Sequence, residues 1–109
     1  MQAVKTMMVA VLASAALAAC ASSMIEVRKG SERVSLANAD QIAACQSKGT
    51  TTVSALAKVG FIVRDAVDVE ANLYQLALND AIGVGADTIV KGGSPALGSR
   101  TYALYKCRP

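Results

Sequence analysis

The feature that most restricts how this chain can fold is an apolar leader at its amino terminus. Residues 1–19 are mostly small or aliphatic, with Lys5 placed before an apolar run that only Ser14 interrupts. A basic start, an apolar run and small residues at the end are the three parts of a secretory signal peptide. The run is shorter than the ~20 residues that a membrane-spanning helix needs, so a transmembrane anchor is the weaker interpretation. Removal of the leader leaves about ninety residues, enough for one domain.

The composition agrees with this division of the chain. The whole sequence is 53% apolar, but most of the excess lies in the leader, and the remainder has the composition of an ordinary globular domain. The chain contains no His, so it lacks the commonest general base, the commonest zinc ligand and any His-based triad. Its formal net charge of +3 is small, and together with export this argues against a nucleic-acid partner.

The leader ends in Leu17-Ala18-Ala19-Cys20, which resembles the lipobox of bacterial lipoproteins. The resemblance implies that the lipoprotein-processing and sorting machinery attaches a diacylglycerol to the Cys20 thiol, cleaves before this residue and acylates the new amino terminus. Two or three acyl chains on one residue anchor a protein stably in a membrane. The alternative is ordinary secretory cleavage with Cys20 left as a thiol. Ala21 follows instead of the Asp that retains enterobacterial lipoproteins in the inner membrane, so we expect the periplasmic face of the outer membrane.

The two remaining cysteines, Cys45 and Cys107, are predicted to form a disulfide. The periplasm is oxidising, and small exported domains often carry disulfides. This bond would close a loop of about sixty residues and stabilise the domain by roughly 4 kcal/mol in the chain-entropy model. A metal site or a catalytic thiol is the alternative, and the wide spacing without any His argues against it. We therefore expect no metal and no cofactor other than the covalent lipid.

Hydrophobic patterning predicts an α+β fold, with one main helix packed on a small, mostly antiparallel sheet of three to four strands. Residues 32–109 are expected to form this single domain. Residues 20–31 are expected to be the lipidated amino terminus and its tether, with a short strand at residues 24–28 as an option. The predicted strands of the domain cover residues 32–36, 44–56 with a bulge at Gly49, 87–91 and 100–107.

The main helix is predicted over residues 68–84. Asp68 is expected to cap its amino terminus, and Glu70 in the first turn suits the positive end of the helix dipole. Gly85 is expected to take the left-handed conformation that commonly ends a helix. The buried stripe of this helix is predicted to consist of apolar residues at near-helical spacing, namely Val69, Leu73, Leu76, Ala77 and Val84.

Three features together resemble one family of small bacterial lipoproteins. They are the lipobox, the helix end and strand at residues 79–90, and the terminal Tyr105-Lys106-Cys107. The family is known only as a domain of unknown function, of the enterobacterial YjeI type, and is similar to the Rcs stress-sensing outer-membrane lipoprotein. The resemblance covers about residues 30–109 and implies an α+β fold. The Rcs sensor has two disulfides and a long proline-rich basic tether, whereas this chain has one spare cysteine pair and a short tether.

Four basic residues give the C-terminal hairpin a positive character. They are candidates for binding an anionic envelope component, either a lipid headgroup or peptidoglycan, and the alternative is a solvated strand face. These possible binding residues are Lys91, Arg100, Lys106 and Arg108.

The acidic residues have simpler explanations than a catalytic or metal site. Asp65, Asp68 and Glu70 cluster at the helix start, where capping and the helix dipole account for them better than a bound cation does. Asp80 and Asp87 flank the helix end and are expected to be solvated. No residue set indicates an enzyme. We therefore expect a non-enzymatic structural or envelope-stress accessory that contacts an unidentified periplasmic or outer-membrane protein, with the small binding module as the alternative.

Overall fold

The computed structural model describes residues 25–109. The leader, the lipobox and Cys20 lie outside the described residues. Two 3-10 turns, Ser31–Arg33 and Ala39–Gln41, flank the first strand. The strands and the α-helix are β1 (Ser35–Ala37), β2 (Gln46–Ser54), β3 (Lys58–Val59), β4 (Ile62–Val63), α1 (Ala66–Gly83), β5 (Thr88–Lys91) and β6 (Ser99–Lys106).

Four strands form the main sheet, in the order β1-β5-β6-β2. The central strand β6 pairs antiparallel with β5 on one side and with β2 on the other, and β1 adds to β5 in parallel. The short strands β3 and β4 form a separate antiparallel hairpin. The helix α1 packs on one face of the main sheet. These findings confirm the predicted α+β fold with one helix on a mostly antiparallel sheet.

The core lies between α1 and every second residue of the central strands. Tyr102 and Leu104 of β6 are buried there, and Ile89 of β5 stands opposite Leu104 in the register. On the helix side, Ala77 and Ala81 are fully buried, and their small side chains leave room for the larger ones of the sheet. Burial raises the pKa of the Tyr102 hydroxyl.

The start of α1 differs from the prediction. The N-cap is Asp65 and not Asp68, because the Asp65 carboxylate accepts a hydrogen bond of 2.8 Å from the Val67 amide. The Arg64 amide donates to the Ala57 carbonyl oxygen, so the chain stays extended through Arg64 and turns into the helix immediately afterwards. Asp68 lies in the first turn, where its charge still suits the helix dipole.

The buried stripe of α1 also differs from the prediction at its C-terminal end. Leu78 and Ala81 are buried, whereas Leu76 is only partly buried and Val84 is about half exposed. Val84 is the C-cap, where the chain already leaves the helix. Gly85 follows with a φ of 74°, which confirms the predicted left-handed helix stop.

The strand boundaries agree in part with the predicted ones. The predicted first strand is shifted, because its first two residues belong to the turn Ser31–Arg33. Residues 26–28 are not a strand. The bulge in β2 is confirmed, since the register shifts between Ser47 and Gly49 and Gly49 has a φ of 99°. The hairpin of β3 and β4 is not among the predicted strands.

Candidate functional site

Two of the predicted basic residues contact Glu70 of α1. Arg100 donates two hydrogen bonds to the Glu70 carboxylate, from Nε to Oε2 at 2.9 Å and from Nη2 to Oε1 at 2.7 Å. The Lys91 ammonium lies 3.9 Å from the same carboxylate. The hydrogen bonds from Arg100 lower the pKa of the Glu70 carboxyl, and Glu70 in turn raises the pKa of Arg100. This two-point contact ties the first turns of the helix to the start of β6.

The other two basic residues contact Asp87, which precedes β5. The Lys106 ammonium donates to Asp87 Oδ2 at 3.1 Å, and the Cys107 and Arg108 amides donate to the same carboxylate at 2.8 and 2.9 Å. Burial acts to raise the pKa of the Asp87 carboxyl, but these hydrogen bonds outweigh it, and the pKa lies well below its usual value. The prediction that Asp87 is solvated is wrong, because only 14% of its side chain is exposed.

The four cations therefore do not form one basic patch. Arg100 and Lys106 are six residues apart on one strand, which separates them by about 20 Å. Each of the four side chains lies within ion-pair distance of Glu70 or Asp87. An anionic ligand at either place has to compete with a carboxylate that is already bound.

The predicted disulfide joins Cys45 to Cys107, with the two Cα atoms 4.4 Å apart. Cys45 precedes β2 and Cys107 follows β6, at the end of the sheet where Gln46 pairs with Lys106. Because Asp87 holds the Cys107 amide, the covalent link and the ionic cluster meet at the same place. We call this cluster the stapled end, and it consists of Cys45, Asp87, Lys106, Cys107 and Arg108.

Part of the predicted tether is folded onto the domain. The Arg28 amide donates to Asn79 Oδ1 at 3.0 Å, and Asn79 Nδ2 donates to the Glu26 carbonyl oxygen at 2.6 Å. Ser31 is buried. Asn79 lies in the last turns of α1, close to the stapled end. The prediction of a tether through Ser31 is therefore wrong, and between Cys20 and Glu26 the chain can span at most about 20 Å.

The hairpin of β3 and β4 carries the most exposed large apolar side chain of the described domain and three further exposed ones. Gly60 forms its turn with a φ of 60°, and Phe61 beside it is 102% exposed. Val59, Ile62 and Val63 are each more than half exposed. We call residues 58–64 the apolar hairpin. The sequence does contain a signal for it, since no polar side chain interrupts the stretch between the two terminal cations.

A small cleft lies between the apolar hairpin, the first turns of α1 and the loop from β5 to β6. Its volume is about 170 Å³, and apolar side chains such as Val63, Val69, Leu73 and Leu97 line most of it. Pockets for cofactors and drug-sized ligands usually measure about 300–1,000 Å³. Glu70 reaches the edge of the cleft, but Arg100 already binds its carboxylate. The cleft is therefore smaller than a typical cofactor site.

The face of the main sheet opposite α1 is not covered by any helix of residues 25–109. We call it the open face. Where β2 pairs with the first half of β6, the side chains on this face are short and mostly hydroxylated. Hydrogen bonds between side chains join Thr52 to Thr101 at 2.9 Å and Ser54 to Ser99 at 2.8 Å. The neighbouring edge strand β2 pairs with β6 only, so the main-chain groups on its outer side can accept another strand.

The described residues contain neither a candidate metal site nor a candidate membrane-spanning helix. No group of three or more His, Cys, Asp or Glu residues within residues 25–109 is placed to hold a metal ion. No helix in that part of the chain is both long enough and apolar enough to cross a membrane.

Comparisons with known protein families, curated proteins and solved structures found no match for the chain. Its function must therefore be inferred from its own residues.

Proposed function

We propose that this chain is a lipid-anchored, non-enzymatic domain on the periplasmic face of the outer membrane. It acts as a structural or envelope-stress accessory through contacts with another envelope protein. The observation that carries the proposal is the closeness of the lipobox to the folded domain. Cys20 stands six residues before Glu26, and the Glu26 carbonyl oxygen is already held by Asn79.

The short sequence distance between the lipobox and the folded domain supports a role close to the membrane. An extended chain from Cys20 to Glu26 spans at most about 20 Å, so the acyl chains keep the domain beside the membrane that holds them. The domain then presents its surface to other proteins of the same membrane. Such confinement raises the effective concentration of a partner that lies in the same plane.

The open face and the edge of β2 support contacts with a protein rather than with a small ligand. Thr50, Thr52 and Ser54 form a flat row of short side chains on this face, and none of them carries a charge. The outer edge of β2 offers nine residues of main chain for strand addition.

The state of the acidic residues supports a non-enzymatic role. Glu70 and Asp87 are the carboxyls with lowered pKa, so both are ionised and bound to cations at neutral pH. A general acid or base needs a pKa near the working pH, and these two groups have the opposite property. The chain also has no His.

The alternative is a binding module for an anionic lipid headgroup or peptidoglycan at the C-terminal hairpin. We regard it as the weaker proposal, because Glu70 and Asp87 neutralise the cations on which it depends. The double charge reversal Arg100→Glu with Lys106→Glu tests it. Unchanged retention on cell-wall material and on anionic vesicles would count against this alternative.

The lipid anchor can be tested on the full chain expressed in a Gram-negative bacterium. We expect the mature protein to begin at Cys20, to carry the mass of its acyl chains and to enter the detergent phase on phase separation. Cys20→Ser should abolish both properties, and Ala21→Asp should move the protein to the inner membrane without removing the lipid. Recovery of the wild-type protein in the aqueous phase without acyl mass would contradict the anchor.

The contact surface can be tested by photo-crosslinking in intact cells. A crosslinking residue at Thr50 or Thr52 is expected to capture one specific envelope protein. Asp68 is exposed on α1 and provides the matched control position, where we expect no such product. Equal capture from both sides, or capture from Asp68 alone, would contradict the assignment of the open face.

A further inference from the structure

The apolar hairpin points to a second membrane contact in addition to the acyl anchor. We propose that the tip of the apolar hairpin, residues 59–63, inserts into the interfacial region of the lipid layer that holds Cys20. The inference rests on the proposed lipid anchor, because the anchor keeps the hairpin within reach of that layer.

The exposure of the tip is the first argument. Phe61 is 102% exposed, and Val59, Ile62 and Val63 are all exposed beside it. Keeping such side chains in water is unfavourable, and transfer to an apolar environment removes this cost in proportion to the buried area. The tip protrudes from the domain, so a partner protein would need a matching cavity, whereas a fluid lipid layer adapts to any convex shape.

The charges at the base of the hairpin are the second argument. Lys58 and Arg64 stand at its two ends, and Lys58 is exposed. The Arg64 guanidinium donates to the Leu56 carbonyl oxygen, and Asp65, the next residue, uses its carboxylate to cap α1. Cations beside an apolar tip match a membrane surface, where anionic headgroups lie above the acyl chains. Phe61 lies in the turn beyond the two-residue strand β3, so its backbone is less than about 10 Å from that of Lys58. Interfacial elements bury their apolar faces to a depth of about 5–10 Å, which agrees with this reach.

The position of the hairpin relative to the anchored terminus is the third argument. Glu26 and Arg28 bind Asn79 near the end of α1, whereas the apolar hairpin precedes the first residue of this helix. The rise of α1 between Ala66 and Asn79 is about 20 Å. The segment from Cys20 to Glu26 can reach about the same distance. A domain that lies with α1 along the membrane can therefore place both its anchored terminus and its hairpin on the lipid.

A single tryptophan can report the insertion, because the natural chain contains none. The full-length lipidated variant Phe61→Trp is reconstituted into vesicles of phosphatidylethanolamine and phosphatidylglycerol. We expect its emission to shift to the blue, to be quenched by brominated lipid and to be protected from iodide in the buffer. Leu36→Trp places the same reporter at an exposed apolar position on β1 and is expected to stay accessible to iodide.

Vesicle flotation separates failure of this inference from failure of the anchor. A protein that floats with the vesicles while the reporter in Phe61→Trp remains as accessible as that in Leu36→Trp would overturn the inference alone, and would assign the apolar hairpin to a protein partner. A protein that does not float and lacks acyl mass would overturn the anchor and this inference together. Ile62→Trp provides a second reporter on the same hairpin and should give the same result as Phe61→Trp.

The role of the cation at the base of the apolar hairpin is tested by adding Lys58→Glu to the Phe61→Trp variant. We expect weaker quenching by brominated lipid in the anionic vesicles, because the new carboxylate is repelled by the phosphatidylglycerol headgroups. Quenching that is unchanged by Lys58→Glu would contradict the electrostatic part of the inference. Thermal unfolding of each variant in detergent establishes that the fold is retained.

Discussion

The stapled end and the apolar hairpin lie at opposite ends of α1 and are held in very different ways. At the stapled end, a disulfide joins β2 to the end of β6, and Asp87 binds the same chain end through an ammonium group and two amides. The apolar hairpin has two strands of two residues each. Arg64 ties its base to the domain through hydrogen bonds to the carbonyl oxygens of Ala57 and Leu56.

The comparison distinguishes residues that stabilise the fold from apolar residues that the fold leaves exposed to water. A hairpin of this size is only marginally stable on its own, and its apolar side chains remain in water. Folding therefore does not explain why these residues are apolar. The stapled end, in contrast, is explained by stability, since a domain of this size buries only around two-thirds of its surface and gains from a covalent link.

Of the changes at these two regions, removal of the disulfide should cause the largest loss of unfolding free energy. The double variant Cys45→Ser with Cys107→Ser is expected to lose about 4 kcal/mol of unfolding free energy, because its unfolded state is no longer constrained by a long loop. Urea unfolding of the oxidised protein and of the variant gives the difference, and the reduced wild-type protein should match the variant. A loss below about 1 kcal/mol would show that the ionic cluster alone holds this end.

Asp87→Asn should cause the second largest loss of unfolding free energy, about 2–3 kcal/mol, because it leaves the surrounding cations without their buried partner. The folded-state pKa of Asp87 is lowered from 3.8. Its contribution is therefore complete above about pH 5 and is lost as the pH falls through the folded-state value.

Urea unfolding between about pH 7 and about pH 3 tests this sign. The stability of the wild-type protein should fall with pH more steeply than that of the Asp87→Asn variant. Asp40→Asn is the control at an exposed carboxylate and should change the stability by less than about 0.5 kcal/mol. Parallel pH profiles of the wild-type protein and Asp87→Asn would contradict the assigned role.

Glu70→Gln should have a smaller effect, about 1 kcal/mol, because 37% of its side chain is exposed and solvent screens the ion pair with Arg100. A double-mutant cycle with Arg100→Gln isolates the coupling between the two side chains. We expect the coupling to shrink at high salt. A coupling that salt does not change would mean that the pair acts through its hydrogen-bond geometry alone.

Phe61→Ser should have the smallest effect on stability, within about 0.5 kcal/mol, because the side chain contacts water in the folded and unfolded states alike. Leu73→Ala in the core is the contrasting variant, with an expected loss of about 3 kcal/mol. Thermal or urea unfolding measures both. A loss above about 1 kcal/mol for Phe61→Ser would show that the apolar hairpin packs on the domain. The contrast between the apolar hairpin and the stapled end would then disappear.

The parts of the fold that local chemistry dictates could be predicted. Gly49 and Gly85 adopt positive φ values at the predicted bulge and helix stop, because both positions need a conformation that glycine adopts easily. The apolar spacing around Leu73 and Ala77 indicated the helix that the structure contains. The disulfide followed from the only cysteine pair left once Cys20 was set aside.

The choice among local alternatives required the tertiary structure. Asp65 and Asp68 are both good helix caps. Asp65 is the one that caps α1, because the chain stays extended only through Arg64. The charge of Asp87 gave no sign of its partners, because Lys106 lies nineteen positions away and the fold brings them together. The apolar hairpin was missed, since strands of two residues are too short to show an alternating pattern.

The sequence by itself determined the α+β class, the main helix, the two glycine-dependent turns and the pairing of Cys45 with Cys107. It also carries the predicted leader and lipobox. Only the tertiary structure decided that the basic residues of the C-terminal hairpin are neutralised and that Phe61 is left in water. The physical reason is that local backbone preferences act over a few residues, whereas ion pairing and burial depend on which distant segments meet when the sheet and helix pack.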